Sequence, residues 1–248
     1  MQTSQTPDPS TPVLWARTAV VILWVAAATL VIGLTVIALS LSASTAPCVH
    51  RVARAWARSI LAVSGVRVRV TGAERIGRAG GFVCMSNHQS NFDIPVLLGH
   101  LPVPFRWLAK AELFKIPVFG RAMRGAGYIP IERADRAAAI ASLGQAGEVV
   151  RRGVPVVIFP EGTRSPDGTL KAFKKGGFVL AVQAGVPIVP VAIQGTFAIM
   201  PKSRLLIRPR PVTLAIGEPV AVAGYGLHTK EALMDEVRGA LQRQLAAA

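Results

Sequence analysis

The chain has 248 residues, of which 51% are hydrophobic and 17% charged, with a formal charge of +15. That size allows one core plus an appendage, and that composition excludes disorder beyond the Ser-, Thr-, Pro- and Gln-rich start at residues 2–11. The charge surplus attracts polyanions, leaving nucleic acid, anionic lipid and small phosphorylated molecules as partner classes; Cys48 and Cys84 lack metal-type spacing, which argues against a disulfide scaffold or zinc site and fits a reducing compartment.

Residues 19–41 carry no charge. As a helix at about 1.5 Å per residue they reach roughly 35 Å, enough to cross a hydrocarbon core. The stretch is long for the core of a cleaved signal peptide, and Pro47 before Cys48 would hinder lipoprotein processing. Over residues 47–63, Val49, Val52, Trp56 and Ile60 fall on one helical face and Arg51, Arg54 and Arg58 on the other. Thr45 is placed to cap this helix. Such a helix suits the headgroup layer of an anionic bilayer, and equally a domain surface with its arginines in water. Arg17 alone precedes the apolar stretch, whereas Arg51, Arg54, Arg58, Arg67 and Arg69 follow it. The positive side stays in the cytoplasm, so the rest of the chain is expected at the cytoplasmic face of the inner membrane. A shallow re-entrant pair of helices gives the same result. No helix-turn-helix, zinc or RNA-reading pattern occurs, which removes nucleic acid from the partners.

From residue 66 onward, short β-rich runs alternate with helical stretches. Strands are expected at 66–70, 81–86, 106–109, 128–131, 154–159, 188–193 and 212–216, and helices at 92–99, 118–124, 134–152, 175–184 and 229–245, the last opened by Thr229 and Glu231. Several strands are continuous apolar runs, as for strands covered on both faces. The expected fold is α/β, a mixed and largely parallel sheet flanked by helices, with an N-terminal membrane-associated helix pair. Residues 1–12 form a flexible start, 13–64 the helix pair and 65–248 a single domain.

The polar clusters fall where strands end. Asn87-His88-Gln89-Ser90-Asn91-Phe92-Asp93 follows one strand, and Pro160-Glu161-Gly162-Thr163-Arg164-Ser165 another. Open α/β sheets bind ligands at the carboxyl ends of their strands, so both clusters can share one cleft. His88 is suited to removing a proton near neutral pH, and works better with a carboxylate fixing its tautomer. Asp93, five residues on, can reach it through a strand-to-helix turn. Lys110, Arg133, Arg164, Lys174 and Lys175 also sit at strand ends or helix starts, where cations and free amides bind phosphate. No serine lies in a G-x-S-x-G turn, so a direct transfer is expected rather than an acyl-serine.

The segment from Asn87 to Asp93 resembles the first sequence block of the glycerolipid acyltransferases, the 1-acylglycerol-3-phosphate acyltransferase group. The run Gly127-Tyr128-Ile129-Pro130-Ile131-Glu132-Arg133 resembles their second block, with Pro130 where the family usually carries an aromatic or aliphatic residue. Phe159 to Arg164 matches the third and Val186 to Val191 the fourth, all in the family's order. The resemblance implies His88 and Asp93 as the catalytic pair, with Lys110, Arg133, Glu161, Gly162, Thr163 and Arg164 around a glycerol-phosphate site. It implies an acyltransferase domain over 65–248, lysophosphatidic acid and membrane lipids as partners, and acyl-CoA or acyl carrier protein as donor, with neither cofactor nor metal. Acylation of another lysolipid, such as a lyso-ornithine lipid or lysophospholipid, is the nearest alternative. A catalytically inactive membrane-anchored binding protein is the alternative of another class.

Overall fold

A computed structural model describes residues 11–42, 46–76 and 80–247. Residues 1–10 of the expected flexible start and the Thr45 cap lie outside these residues, whereas Thr11 and Pro12, expected in that start, open the first helix. The strands are β1 (Val68–Thr71), β2 (Val83–Ser86), β3 (Arg106–Lys110), β4 (Ile129–Ile131), β5 (Val156–Ile158), β6 (Ile188–Gln194) and β7 (Val212–Ile216). The helices are α1 (Thr11–Ser40), α2 (Ala46–Val63), α3 (Asp93–His100), α4 (Phe119–Gly125), α5 (Arg136–Arg151), α6 (Gly176–Ala184), α7 (Thr196–Ile199) and α8 (Lys230–Ala246). Short 3₁₀ turns at Ala73–Arg75 and Ala111–Lys115, and α7, are additions to the expected elements.

Among the described residues one seven-stranded sheet runs β1-β7-β6-β2-β5-β3-β4, with β6 and β7 antiparallel and every other neighbouring pair parallel. The consequence for function is direct. β2, β3, β4, β5 and β6 all point the same way, so the segments after them emerge along one edge. Every residue of β2 and β5 is buried, because α2 and α3 cover one face of the sheet while α5, α6 and α8 cover the other. Pro130 is accommodated because β4 is an edge strand, where a missing backbone donor costs little.

Local chemistry explains the start of α5. Asp135 caps α5, its side chain accepting from Ala137 N at 2.8 Å and Ala138 N at 3.1 Å. Thr229 stands at the start of α8, as expected, but its hydroxyl accepts from Gly226 N at 2.8 Å in the preceding turn instead of capping the helix. Lys175, a candidate for anion binding, is paired with Glu231 at 2.8 Å and so is spent on joining α6 to α8.

The two N-terminal helices depart from the expectation in informative ways. α1 starts eight residues before the uncharged stretch, because its first turns pack on the domain, burying Leu14 and Thr18. Its whole length stays in contact: Arg17 donates to Ser64 O at 3.2 Å, Thr18 accepts from Ile207 N at 3.0 Å, and Gly33 lies against Val118 of the domain. A Cβ at Gly33 would meet Val118 Cγ1 at 2.8 Å, so the close approach requires glycine. α1 is long and apolar enough to cross a membrane, with mean hydropathy 2.7 over its most apolar window. Its outward side chains, among them Trp15, Leu23, Val31 and Leu34, are more than half exposed.

α2 is the amphipathic helix expected, but its faces are used inside the protein. Val49 and Ile60 are buried, and Trp56 Nε1 donates to Thr29 Oγ1 of α1 at 3.1 Å. Arg54 donates to Leu101 O at 2.6 Å and Arg58 to Gly99 O at 2.9 Å. These two arginines therefore satisfy the open carbonyls that end α3, where cations are favoured, in place of a stripe in water or among headgroups. Arg58 stays exposed while making its bond to Gly99 O, and Arg51 is exposed beside Cys48.

Candidate active site

The site begins where β2 stops. Asn87 continues the pairing with β6 through its side chain, donating to Ile193 O at 2.9 Å and accepting from Ile193 N at 2.8 Å. That frees the main chain to leave the sheet at His88 and turn into α3. Asp93, the first residue of α3, is fully buried. Its Oδ2 accepts from His88 Nδ1 at 2.7 Å, Gln89 N at 2.7 Å and Ser90 N at 2.8 Å, and its Oδ1 accepts from Thr196 Oγ1 at 2.6 Å. Four donors at the start of α3 hold the carboxylate in one orientation. Because Nδ1 is bound to Asp93, Nε2 is the ring nitrogen left to act as base. The imidazole is 16% exposed and stacks on Phe159, centroids 3.9 Å apart, so its plane is fixed as well as its edge.

The loop after β5 is fastened to this turn at two points. Glu161 Oε1 accepts from His88 N at 2.7 Å and Oε2 from Lys171 N at 2.9 Å. Ser165 N donates to His88 O at 2.7 Å. Glu161 is thus inside the structure, at 3% exposure, and braces the backbone of His88; it is not a group lining open space. Burial raises its carboxyl above the usual range, against the opposing pull of those two amides.

The cations follow along the same edge. Gly162 adopts φ 72°, a left-handed turn natural to glycine, and its carbonyl accepts a hydrogen bond from Arg133 at the end of β4. Lys110, at the end of β3, pairs with Glu112 at 2.9 Å, and Glu112 is near enough to Arg133 to act on its charge. Lys174 borders Gly162. Thr163 is exposed; Arg164 is half-buried and, among the described residues, has neither a hydrogen bond nor an ion pair. The structure therefore joins Arg133, Gly162, Glu161, His88 and Asp93 in one bonded chain, with Lys110 at its outer end and Arg164 on the loop between Gly162 and Ser165.

The sequence-predicted list lacked Thr196, Gln89 and Phe159. Gln89 Nε2 donates to Thr196 Oγ1 at 3.0 Å, which directs the threonine hydroxyl toward Asp93. The available signal was positional: Thr196 follows the carboxyl end of β6, the same edge as His88.

Comparison with known proteins agrees with this geometry. Residues 67–194, which carry β1 to β6 and both His88 and Asp93, match the family model described as Acyltransferase. The chain belongs to the acyltransferase family. It is 34% identical over 188 residues to human 1-acyl-sn-glycerol-3-phosphate acyltransferase beta, covering 75% of this chain and 68% of that one. It is 36% identical over 198 residues to the chloroplastic 1-acyl-sn-glycerol-3-phosphate acyltransferase BAT2 of Brassica napus, covering 79% of this chain and 56% of that one. The chain spans about half the length of the first curated relatives it matches, 56%, 42% and 40%. The crystal structure of the 1-acyl-sn-glycerophosphate (LPA) acyltransferase PlsC from Thermotoga maritima superposes with a TM-score of 0.80 at 31% identity, covering 93% of this chain and 95% of that one.

Two expected results follow for this acyltransferase-family site. Thr196→Val removes one donor from a carboxylate that is fully buried, a loss of about 1–3 kcal/mol. It should lower kcat about tenfold with little change in KM, and Thr196→Ser should restore most of it. Glu161→Gln turns an NH₂ group toward either His88 N or Lys171 N. A fall in melting temperature together with a lower kcat is expected, since His88 is displaced; unchanged values in both would separate Glu161 from the support of His88.

Proposed function

We propose that the protein transfers a fatty acyl group from an acyl thioester to the free hydroxyl of 1-acylglycerol 3-phosphate, forming phosphatidic acid. The observation that carries this reading is the His88–Asp93 pair with both Asp93 oxygens hydrogen-bonded, held by the loop that carries Arg164, whose guanidinium has no partner among the described residues. The relatives' names support the same acceptor.

In this reading His88 Nε2 takes the hydroxyl proton as the oxygen attacks the thioester carbonyl. Asp93 supports the imidazolium through Nδ1. The carbon–sulfur bond then breaks, and the thiolate takes the proton back from Nε2. A thiol with a pKa of about 8.5 leaves readily, whereas an alcohol resists deprotonation, so the base is placed where the chemistry is hard. Arg164, with Lys110 and Arg133 nearby, holds the phosphate. Glu161 and Gly162 shape that loop, and Thr163 lies on its open side. An acceptor without a terminal phosphate, such as a lyso-ornithine lipid, would leave Arg164 unmatched.

α1 provides the membrane attachment in the proposal. Both of its ends contact the domain, so it lies in the bilayer along one side of the molecule with its outward apolar face in lipid, and the domain stays at the cytoplasmic surface. Either acyl-CoA or acyl carrier protein serves as donor. The test is the full chain in vesicles with each donor and a panel of lysolipids, following thiol release and product. Phosphatidic acid formed only from lysophosphatidic acid is the expected result. Thiol release with a different lysolipid alone would replace the acceptor, and none with either donor would sink the proposal.

A further inference from the structure

The charges outside the site are unevenly placed. No Asp or Glu occurs between Asp167 and Glu218, nor between Asp8 and Glu74. These two acid-free stretches meet in space. The segment 201–211, joining α7 to β7, is fixed at three points: Ser90 Oγ donates to Met200 O at 2.9 Å, Ile207 N donates to Thr18 Oγ1 of α1 at 3.0 Å, and Arg208 N donates to Ile199 O at 2.9 Å. Ile207 is buried at 3%, so the loop is seated rather than loose. Between these anchors Lys202, Ser203, Arg204 and Leu205 face outward, with Leu205 70% exposed. Arg67 and Arg69 are exposed at the edge strand β1, and the Arg17 guanidinium and Pro209 both border Gly65, which ties that edge to the loop. Lys202, Arg204, Arg208, Arg67 and Arg69 have no acidic partner among the described residues. Trp15, 54% exposed, stands one helical turn from Thr18.

Like charges this dense repel one another, and an exposed leucine among them gains nothing from water. Both costs are relieved at one kind of surface, where a negative phosphate layer lies directly above hydrocarbon. Exposed Trp and Leu next to cations, at the end of a long apolar helix, match that layering.

We propose that the loop 201–211, with Arg67 and Arg69, docks on anionic phospholipid headgroups beside the first turns of α1. The loop starts at the catalytic turn, where Ser90 bridges to Pro201, so docking holds the mouth of the His88 site at headgroup level, where a lysolipid presents its hydroxyl. The arginines that were candidates for this task from sequence, Arg54 and Arg58, are engaged by α3. The proposal rests on α1 being the membrane element.

The experiment uses the full chain in a Cys48→Ala background, labelled with a fluorophore at Ser203→Cys or, as a control on the opposite sheet edge, at Arg152→Cys. The protein is reconstituted in phosphatidylcholine vesicles with or without phosphatidylglycerol, and quenching by headgroup-nitroxide lipid is measured. Quenching at position 203 should exceed the control about threefold in anionic vesicles, and fall toward the control at high salt. The triple variant Lys202→Glu/Arg204→Glu/Arg208→Glu should do the same without loss of vesicle flotation. The salt titration needs no substitution in the loop, so a variant that fails to fold does not spare the proposal. Floating protein quenched equally at both positions would overturn the docking alone. Protein that does not float would overturn the membrane role of α1 and the docking with it. Shielding of position 203 by an acidic acyl carrier protein, with no lipid quenching, would assign the patch to the donor and also overturn it.

Discussion

Replacing His88 with alanine should reduce kcat by about 10²- to 10⁴-fold, the range that a positioned general base supplies. The folded state should tolerate the change, because the groups that shape the turn are not the imidazole. The backbone of His88 is held by Glu161 and Ser165, and Asp93 keeps its amide and threonine donors. Vesicle flotation and melting temperature should therefore match the wild type, while the proposed formation of phosphatidic acid falls by that factor. Residual activity above about a tenth of wild type would remove the base role from His88. Asp93→Asn should lose a similar factor in rate, but for a different reason. An NH₂ group would replace one oxygen of a buried carboxylate surrounded only by donors, so this variant should also be less stable, by about 1–3 kcal/mol. The contrast separates a group that does chemistry from one that both orients it and closes a buried network.

The second large effect concerns the acceptor. Arg164→Ala should raise KM for lysophosphatidic acid about 30- to 150-fold with kcat changed only a few-fold, corresponding to about 2–3 kcal/mol for a charge-assisted bond to phosphate. Arg164 suits this test because, unlike Lys110, Arg133 and Lys175, it has no partner among the described residues whose release would confuse the result. Arg164→Lys should recover only part of the loss, since an ammonium lacks the planar fork that meets two phosphate oxygens. Equal KM values for wild type and Arg164→Ala would move the phosphate to Lys110 or Arg133.

The charge logic of the site reads differently from that of the membrane-facing loop. At the site Lys110 is paired with Glu112, Arg133 is hydrogen-bonded to Gly162 and Lys175 is paired with Glu231, so the order of strand ends decides which charges remain available. In the loop 201–211, Lys202, Arg204 and Arg208 have no acidic partner among the described residues, and an external anionic surface is what they are proposed to meet. The two features share Ser90, which links the catalytic turn to the loop through Met200 and Pro201.

The sequence by itself determined the elements, the long apolar helix and the central pair. All seven strands and five of the six helices from α3 onward fall where apolar runs and turn residues put them, because those signals are local. His88 and Asp93 were legible for the same reason: five residues and one strand-to-helix turn separate them, and their meeting depends on nothing distant. What only the tertiary structure decided was how distant polar groups are paired. Thr196 reaches Asp93 across 103 positions, Glu161 reaches the backbone of His88 across 73, and Arg54 reaches the end of α3 across 47. No local pattern distinguishes a glutamate that will face phosphate from one that will accept two buried amides, or an arginine bound for headgroups from one that will close a helix. The strand order makes those choices. β2 lies between β5 and β6, which brings the ends of all three strands to one place, and burial there obliges each polar group to find a partner.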